Sequence, residues 1–146
     1  MLGVARGETS LGGIIGFSPA VVEQLVEQAL GLAEAGRSEE AEGLLARLAL
    51  VEADSPLLPL LLGTVRAAAG RHEAAVAAYD EALERHVRAG GHARFEVEVR
   101  LLKGRALLAL ARDDEAEVEL LLAAVGPDLA VARGAQALLT CMRARA

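Results

Sequence analysis

Aromatic residues are scarce in this sequence of 146 residues, which contains no tryptophan, one tyrosine and two phenylalanines. Alanine, leucine, glutamate and arginine, which are all strong helix formers, are abundant instead. The composition therefore predicts an all-α protein with a core of alanine, leucine and valine. It also leaves no aromatic pair on which the bases of a nucleic acid would stack.

Lysine is nearly absent, because Lys103 is the only one among fifteen lysine and arginine residues. Acidic residues outnumber basic ones by 21 to 15, so the net charge is −6. Most of the acids share helical faces with arginines, as Glu39 and Glu40 do near Arg37, which is typical of a solvated surface. No basic stripe is present to neutralise phosphates, and we expect no nucleic-acid partner.

Cysteine pairs and membrane-length hydrophobic runs are missing as well. Cys141 is the single cysteine, so it has no internal partner and suits a reducing compartment. The longest uncharged run, from Thr9 to Val22, is shorter than the roughly 20 residues that a membrane helix needs. These features predict a cytoplasmic protein with no membrane partner.

Residues 1–17 form a Gly-rich N-terminal arm, with five glycines and no helical periodicity. Its main apolar side chains are Ile14, Ile15 and Phe17. Two interpretations of this arm stay open. Either it folds back over the first part of the helical domain, or it mediates a homodimer.

The remaining chain carries an internal repeat. Gly36 and Gly70 are 34 residues apart, and so are Ala41 and Ala75. A period of 34 is the length of one helix-turn-helix repeat. A third copy follows at a spacing of 41, in which Gly104 matches Gly63, Ala116 matches Ala75 and Leu120 matches Tyr79. The additional residues fall in the connection at 85–96, where a double glycine indicates a turn.

The second copy resembles the tetratricopeptide repeat (TPR), with Leu62-Gly63 in one helix, Gly70 at the turn, and Ala75, Tyr79 and Ala82 in the next helix. Small residues at these positions let two helices approach closely, and a glycine supplies the positive φ that ends a helix. The resemblance implies an all-α, right-handed α-solenoid of three TPR-like helical hairpins plus a C-terminal capping helix. The repeats are expected at about residues 20–54, 55–88 and 93–126, and the capping helix at 128–143, in a single domain.

In the TPR family the first helices of successive repeats line a concave groove that binds a peptide. By analogy, the peptide-binding groove here comprises Val26, Leu30, Leu60, Thr64, Ala67, Leu101, Arg105 and Leu108. The list is mainly apolar, which predicts a protein or peptide partner with an apolar segment and Arg105 as a single polar anchor. A clamp for a carboxylate terminus is not expected, because it needs several charged donors. About half of these residues are equally compatible with plain packing between repeats.

Catalysis has little support in the sequence. His72, His86 and His92 fall at predicted turns or helix ends, where a surface or capping role is the simplest interpretation. Cys141 is expected as a packed thiol, because no histidine is near it. The Gly12-Gly13 pair lacks the lysine of a phosphate-binding loop. We therefore expect no enzyme, no metal and no cofactor.

A narrower resemblance covers the stretch from Leu48 to Gly63, followed by Gly70, Ala75 and Tyr79. It looks like the class II chaperones of bacterial type III secretion, which are acidic, cytoplasmic proteins of three repeats. This resemblance implies a chaperone that keeps a hydrophobic translocator subunit soluble by holding an extended segment of it in the groove. The alternatives are a general scaffold or adaptor subunit of a larger complex and, with least support, an enzyme.

Overall fold

The computed structural model describes residues 17–145, and within them the chain forms seven α-helices and no strand. The helices are α1 (Pro19–Glu34), α2 (Ser38–Val51), α3 (Leu57–Ala68), α4 (His72–Arg88), α5 (Ala93–Ala109), α6 (Asp113–Ala124) and α7 (Leu129–Arg145). The predicted all-α class is confirmed.

The helices are arranged as three successive hairpins followed by a single closing helix. Each helix packs against the next one along the chain, and α5 also contacts α3 and α7. First helices of neighbouring hairpins therefore lie side by side, as they do in a solenoid. This arrangement confirms the predicted α-solenoid of TPR-like hairpins.

The turns inside the hairpins have left-handed backbone conformations at matching positions. Gly36 has a φ of 83° and Gly70 a φ of 85°, which lets each helix end sharply. In the third hairpin the same position is Ala111, with a φ of 59°. The Cβ atom of alanine disfavours this left-handed conformation, which glycine adopts without that clash. The third turn therefore has a conformational cost that the other two turns avoid.

Three groups of buried side chains form the core. The first core lies between α1, α2 and α3 and includes Leu45, Leu58 and Leu62. The second core includes Tyr79 and Leu107. The third core consists of side chains from α5, α6 and α7 that pack together. Helix α3 supplies both of the first two, because Leu58, Leu62 and Val65 enter the first core and Leu60 enters the second. The nearly continuous apolar sequence of α3 is explained by this burial on two sides.

The helix starts differ in how they are capped. The Ser18 hydroxyl accepts a hydrogen bond from the Val21 amide at 3.2 Å, and the Asp128 carboxylate accepts from the Ala130 and Val131 amides at 3.0 and 3.3 Å. No side chain caps α3.

The connection between α2 and α3 is held through its backbone. The buried Arg85 side chain donates to the carbonyl oxygens of Glu52 and Ser55 at 3.2 and 3.1 Å. A guanidinium from α4 therefore fixes this loop through its carbonyl groups.

Candidate functional site: the inner face of the first helices

The inner face, which we define as the surface formed by α1, α3 and α5, contains a cavity between α3 and α5. Its volume is about 280 Å³. Three predicted groove residues, Thr64, Ala67 and Arg105, line it together. The other lining residues are Ala68, His72, Tyr79, Leu102 and Ala106. The walls are mainly apolar, with a few polar groups at defined places, as is typical of a binding site.

Thr64 and Tyr79 contribute hydroxyl groups to the wall of this α3–α5 cavity. The Thr64 hydroxyl donates to the Leu60 carbonyl oxygen at 3.0 Å. Burial raises the pKa of Tyr79, although the neighbouring Thr64 hydroxyl and the charge of Arg105 act in the opposite direction. The phenol therefore stays neutral at physiological pH and takes part in the cavity wall as a hydrogen-bonding group.

Arg105 is the free cation of this cavity. Its side chain is exposed, and it forms no ion pair with any residue between 17 and 145. All five guanidinium N–H donors thus remain available to a ligand. That Arg105 serves as the polar anchor of a peptide-binding groove stays a prediction.

A second and wider cavity lies between α1 and α3. Its volume is about 560 Å³, and Val26 lines it with Ala20, Val22, Leu57 and Leu58, together with the polar residues Glu23, Gln24, Glu27 and Ser55. Leu57 is half exposed at its edge. Two cavities therefore flank α3, and the predicted groove residues fall into both of them.

The other predicted groove residues pack mainly inside the protein. Leu30 packs against the first core, Leu101 against the third, and Leu108 against the second and third. Each of them is partly buried. Leu60 is only 5% exposed and belongs to the second core, so it offers almost no surface to a ligand. Its place in the predicted groove list is corrected accordingly.

Two lining residues were missed by sequence reasoning. Tyr79 was recognised only as a packing residue, although it is the single tyrosine among small side chains. His72 was interpreted as a surface or capping residue, yet it lines the α3–α5 cavity, and its Nδ1 atom is buried without a hydrogen-bond partner in the described chain. No sequence signal distinguishes His72 from the other histidines.

Two further residues differ from expectation. His86 is buried and its ring stacks on Phe95 with centroids 4.9 Å apart, so it is a core residue and no surface group. Cys141 is exposed rather than packed, because α7 buries the opposite side through Val131, Ala135 and Leu139.

Residues 17–145 also contain neither a metal-binding cluster nor a membrane-spanning helix. No group of three or more histidine, cysteine, aspartate or glutamate side chains there has a geometry that would hold a metal ion. None of the helices in this range combines the length and the apolar character needed to cross a bilayer.

Comparison with known proteins gives matches to solved structures alone. No protein-family model matches the sequence, and no curated protein sequence matches it either. Among solved structures, the Yersinia enterocolitica type III secretion translocator chaperone SycD matches with a TM-score of 0.79 and 20% identity, over 92% of this chain and 99% of that chain. PcrH, solved in complex with the chaperone binding region of PopD, matches with a TM-score of 0.75 and 24% identity, over 89% and 96%.

The chain shares its fold with SycD and PcrH. The Sgt2 TPR domain from Aspergillus fumigatus is also similar, with a TM-score of 0.67 and 15% identity over 86% of this chain and 81% of that chain. Both resemblances noted in the sequence are thus confirmed at the level of fold. The matches to SycD and PcrH span nearly the whole of those chains, so the shared fold extends from the first hairpin to the closing helix.

Proposed function

We propose that this protein is a non-catalytic chaperone of the translocator type, which acts in the cytoplasm and holds an apolar segment of a client protein on its inner face. The two cavities on either side of α3 are the observation that carries the proposal. Apolar side chains line both cavities, with Arg105 as the one free cation in the α3–α5 cavity among the described residues and with Glu23 and Glu27 in the lining of the wider cavity. PcrH, which has the same fold, is solved with the chaperone binding region of PopD.

The chemistry of the inner face suits an extended apolar segment. Ala67, Leu102 and Ala106 offer shallow apolar surface in the α3–α5 cavity, and Val26 and Leu57 do so in the wider one. Side chains of an extended peptide alternate in direction, so every second residue would enter a cavity. Arg105 would then bind a carbonyl or carboxylate oxygen of the client through charge-assisted hydrogen bonds.

The experiment is affinity purification of the tagged protein from its source cell, followed by mass spectrometry. The wild type is compared with the Ala67→Glu variant, which places a charge on the inner face. Ala137→Glu, at an exposed position of α7, is the matched control. We expect a client with an apolar segment to be recovered by the wild type and the control, and lost with Ala67→Glu. Identical recovery by all three proteins would contradict the inner-face site.

The nature of the recovered client separates the chaperone from an adaptor. A chaperone client aggregates when it is expressed alone and stays soluble when it is expressed with this protein. An adaptor would bind a partner that is stable by itself. Homodimer formation through the N-terminal arm stays a prediction, because residues 1–16 lie outside the described part of the chain, while Phe17 packs against the first core.

A further inference from the structure

Hydrogen-bond donors converge on the α3–α5 cavity, and its lining within the described chain includes no aspartate or glutamate. Arg105 contributes a guanidinium group with its N–H donors, and Tyr79 contributes a phenolic hydroxyl. The Thr64 hydroxyl already donates its proton to the Leu60 carbonyl oxygen. The lining is therefore rich in donors, although the whole chain has a net charge of −6.

His72 adds an atom whose hydrogen bonding is incomplete. This residue lines the cavity, and its Nδ1 atom is buried without a partner in residues 17–145. A buried polar atom that lacks a hydrogen bond destabilises a protein, and a ligand group that binds to it removes that cost. In the tautomer that carries its proton on Nδ1, the imidazole donates to an acceptor. His72 can thus join the other donors of the cavity.

The charge of Arg105 is not neutralised within the described chain. Arg100 and Lys103, on another side of the same helix, both pair with the carboxylate of Glu119. Arg105 forms no ion pair among residues 17–145. Burial raises the pKa of Tyr79, and the charge of Arg105 acts against this rise, so that charge reaches the cavity wall. A carboxylate supplied by a ligand would complete an ion pair with Arg105.

The volume of the cavity suits a side chain better than a complete small molecule. It is about 280 Å³, whereas pockets for drug-sized ligands measure roughly 300–1,000 Å³. Ala67, Leu102 and Ala106 supply apolar wall beside the donors. Aspartate and glutamate side chains combine a short apolar stem with an anionic end. They therefore match both the size and the chemistry of the cavity.

The wider cavity between α1 and α3 has the opposite charge. Glu23 and Glu27 line it, and no lysine or arginine of the described chain does so. Neither glutamate has an ion-pair partner within residues 17–145. Because like charges repel, an acidic side chain of a bound segment is disfavoured there. Of the two cavities that flank α3, only the α3–α5 cavity favours an acid.

We propose that the client segment carries an aspartate or glutamate whose carboxylate enters the α3–α5 cavity and is held by donors of Arg105, Tyr79 and His72. This inference rests on the proposed function and adds the chemistry of the segment to it. An apolar segment without a charge would be free to slide along the inner face, because its side chains are nearly equivalent. One carboxylate fixes the register, since charge-assisted hydrogen bonds impose a defined geometry.

The first test selects random peptides displayed on phage against the wild type, the Arg105→Leu variant and the Arg47→Leu variant. Arg47 is an exposed arginine of α2 and serves as the matched control. We expect the peptides selected on the wild type and on the control to share one acidic position between apolar residues. Peptides selected on Arg105→Leu should keep the apolar pattern and lose the acid. Circular dichroism verifies that the variants are folded.

The second test compares a peptide from the wild-type selection with its amide counterpart, in which asparagine or glutamine replaces the acid. In fluorescence anisotropy the wild type should bind the acidic peptide about tenfold more tightly than the amide peptide. Arg105→Leu should bind the two peptides equally. His72→Phe keeps a ring but removes Nδ1, so it should lower the discrimination about threefold and leave the affinity for the amide peptide unchanged.

The outcomes separate this inference from the proposed function. Apolar peptides without a shared acid, or an acid that persists on Arg105→Leu, would overturn the inference and leave the proposed function intact. If no peptide is enriched on the wild type, both fail, because the inner face then holds no extended segment. Inorganic phosphate is the final probe. Phosphate that binds as tightly as the acidic peptide and displaces it would show a site for small anions, and the client's acid would not be its ligand.

Discussion

Gly63 of α3 faces the ring of Tyr79 in α4 so closely that a Cβ atom on Gly63 would lie 2.6 Å from the tyrosine Cε1 atom. The corresponding pair in the third hairpin is Gly104 and Leu120, where an added Cβ would lie 2.8 Å from the leucine Cδ2 atom. Both hairpins thus place a glycine of the first helix against a large side chain of the second helix, although the large residue differs. Because the glycine has no side chain, the large residue can fill the space where the two helices cross.

We expect the Gly63→Ala substitution to destabilise the protein by about 1–3 kcal/mol, because the fully buried Tyr79 ring has no room to move. Gly31→Ala is the matched control, since nothing lies within 4 Å of an added Cβ there. That change in mid-helix should stabilise α1 by roughly 0.5–1 kcal/mol. Urea unfolding followed by circular dichroism measures both. Equal effects of the two substitutions would contradict the crossing.

The Ala111→Gly substitution should stabilise the protein by about 1 kcal/mol. Ala111 has a φ of 59°, and glycine adopts this region without the steric cost of a Cβ. The reciprocal change Gly70→Ala, at a φ of 85°, should destabilise the second hairpin by a similar amount. Thermal unfolding under identical conditions compares the two, and a loss of stability in Ala111→Gly would disprove the strain.

The pH dependence of stability should contain a contribution from Tyr79. Its pKa is raised above the ordinary tyrosine value of 10.0, mainly by burial, so the folded state binds the phenolic proton more tightly than the unfolded state. This contribution is fully present below about pH 10 and is lost as the pH rises through the folded-state pKa. The stability of the wild type relative to Tyr79→Phe should therefore fall in alkaline solution.

Tyr79 is also its own spectroscopic probe, because it is the single tyrosine and the chain contains no tryptophan. Tyrosinate absorbance should appear at a higher pH in the folded protein than in urea. A titration that is the same in both conditions would show that the hydroxyl is not buried.

Glu119→Gln should cost roughly 3 kcal/mol of stability, because the mostly buried carboxylate of Glu119 binds two cations. It accepts from Arg100 at 2.8 Å and pairs with Lys103 at 3.3 Å. Burial by itself would lower the pKa of Lys103, but hydrogen bonds and charges from Asp80 and Glu119 raise it overall. Glu115→Gln breaks an exposed pair and should change stability little. Chemical denaturation of both variants measures whether Glu119→Gln lowers the free energy of unfolding more than Glu115→Gln does.

Arg105→Ala should weaken binding of the client segment about tenfold, because a hydrogen bond to a charged group contributes roughly 1.5 kcal/mol. Stability should change little, since Arg105 has no ion pair within residues 17–145. Arg47→Ala, at an exposed position of α2, is the control. Isothermal titration with the captured client segment measures the affinity. Unchanged affinity in Arg105→Ala would remove the polar anchor from the proposed site.

Much of the fold could be predicted because the repeat is local. Gly36 and Gly70 mark turns through a backbone requirement that acts at a single residue. The small Ala75 and the large Tyr79 indicate, by the sizes of their side chains, where two helices cross. The site was harder to predict, since the exposure of a residue on a first helix depends on helices far away in sequence. Leu60 was expected in the groove, but α3 lies between two cores and turns this residue inward.

The order of side-chain sizes along the chain, with small residues at matching intervals and glycines at the turns, was enough to specify an all-α solenoid of three hairpins. Each of those requirements is met within one hairpin, so it is visible in the sequence. Only the tertiary structure decided that Thr64, Ala67 and Arg105 share a cavity with Tyr79 and His72. It also decided that Leu121 and Leu122 of α6 meet solvent, because exposure is set by the packing of neighbouring hairpins.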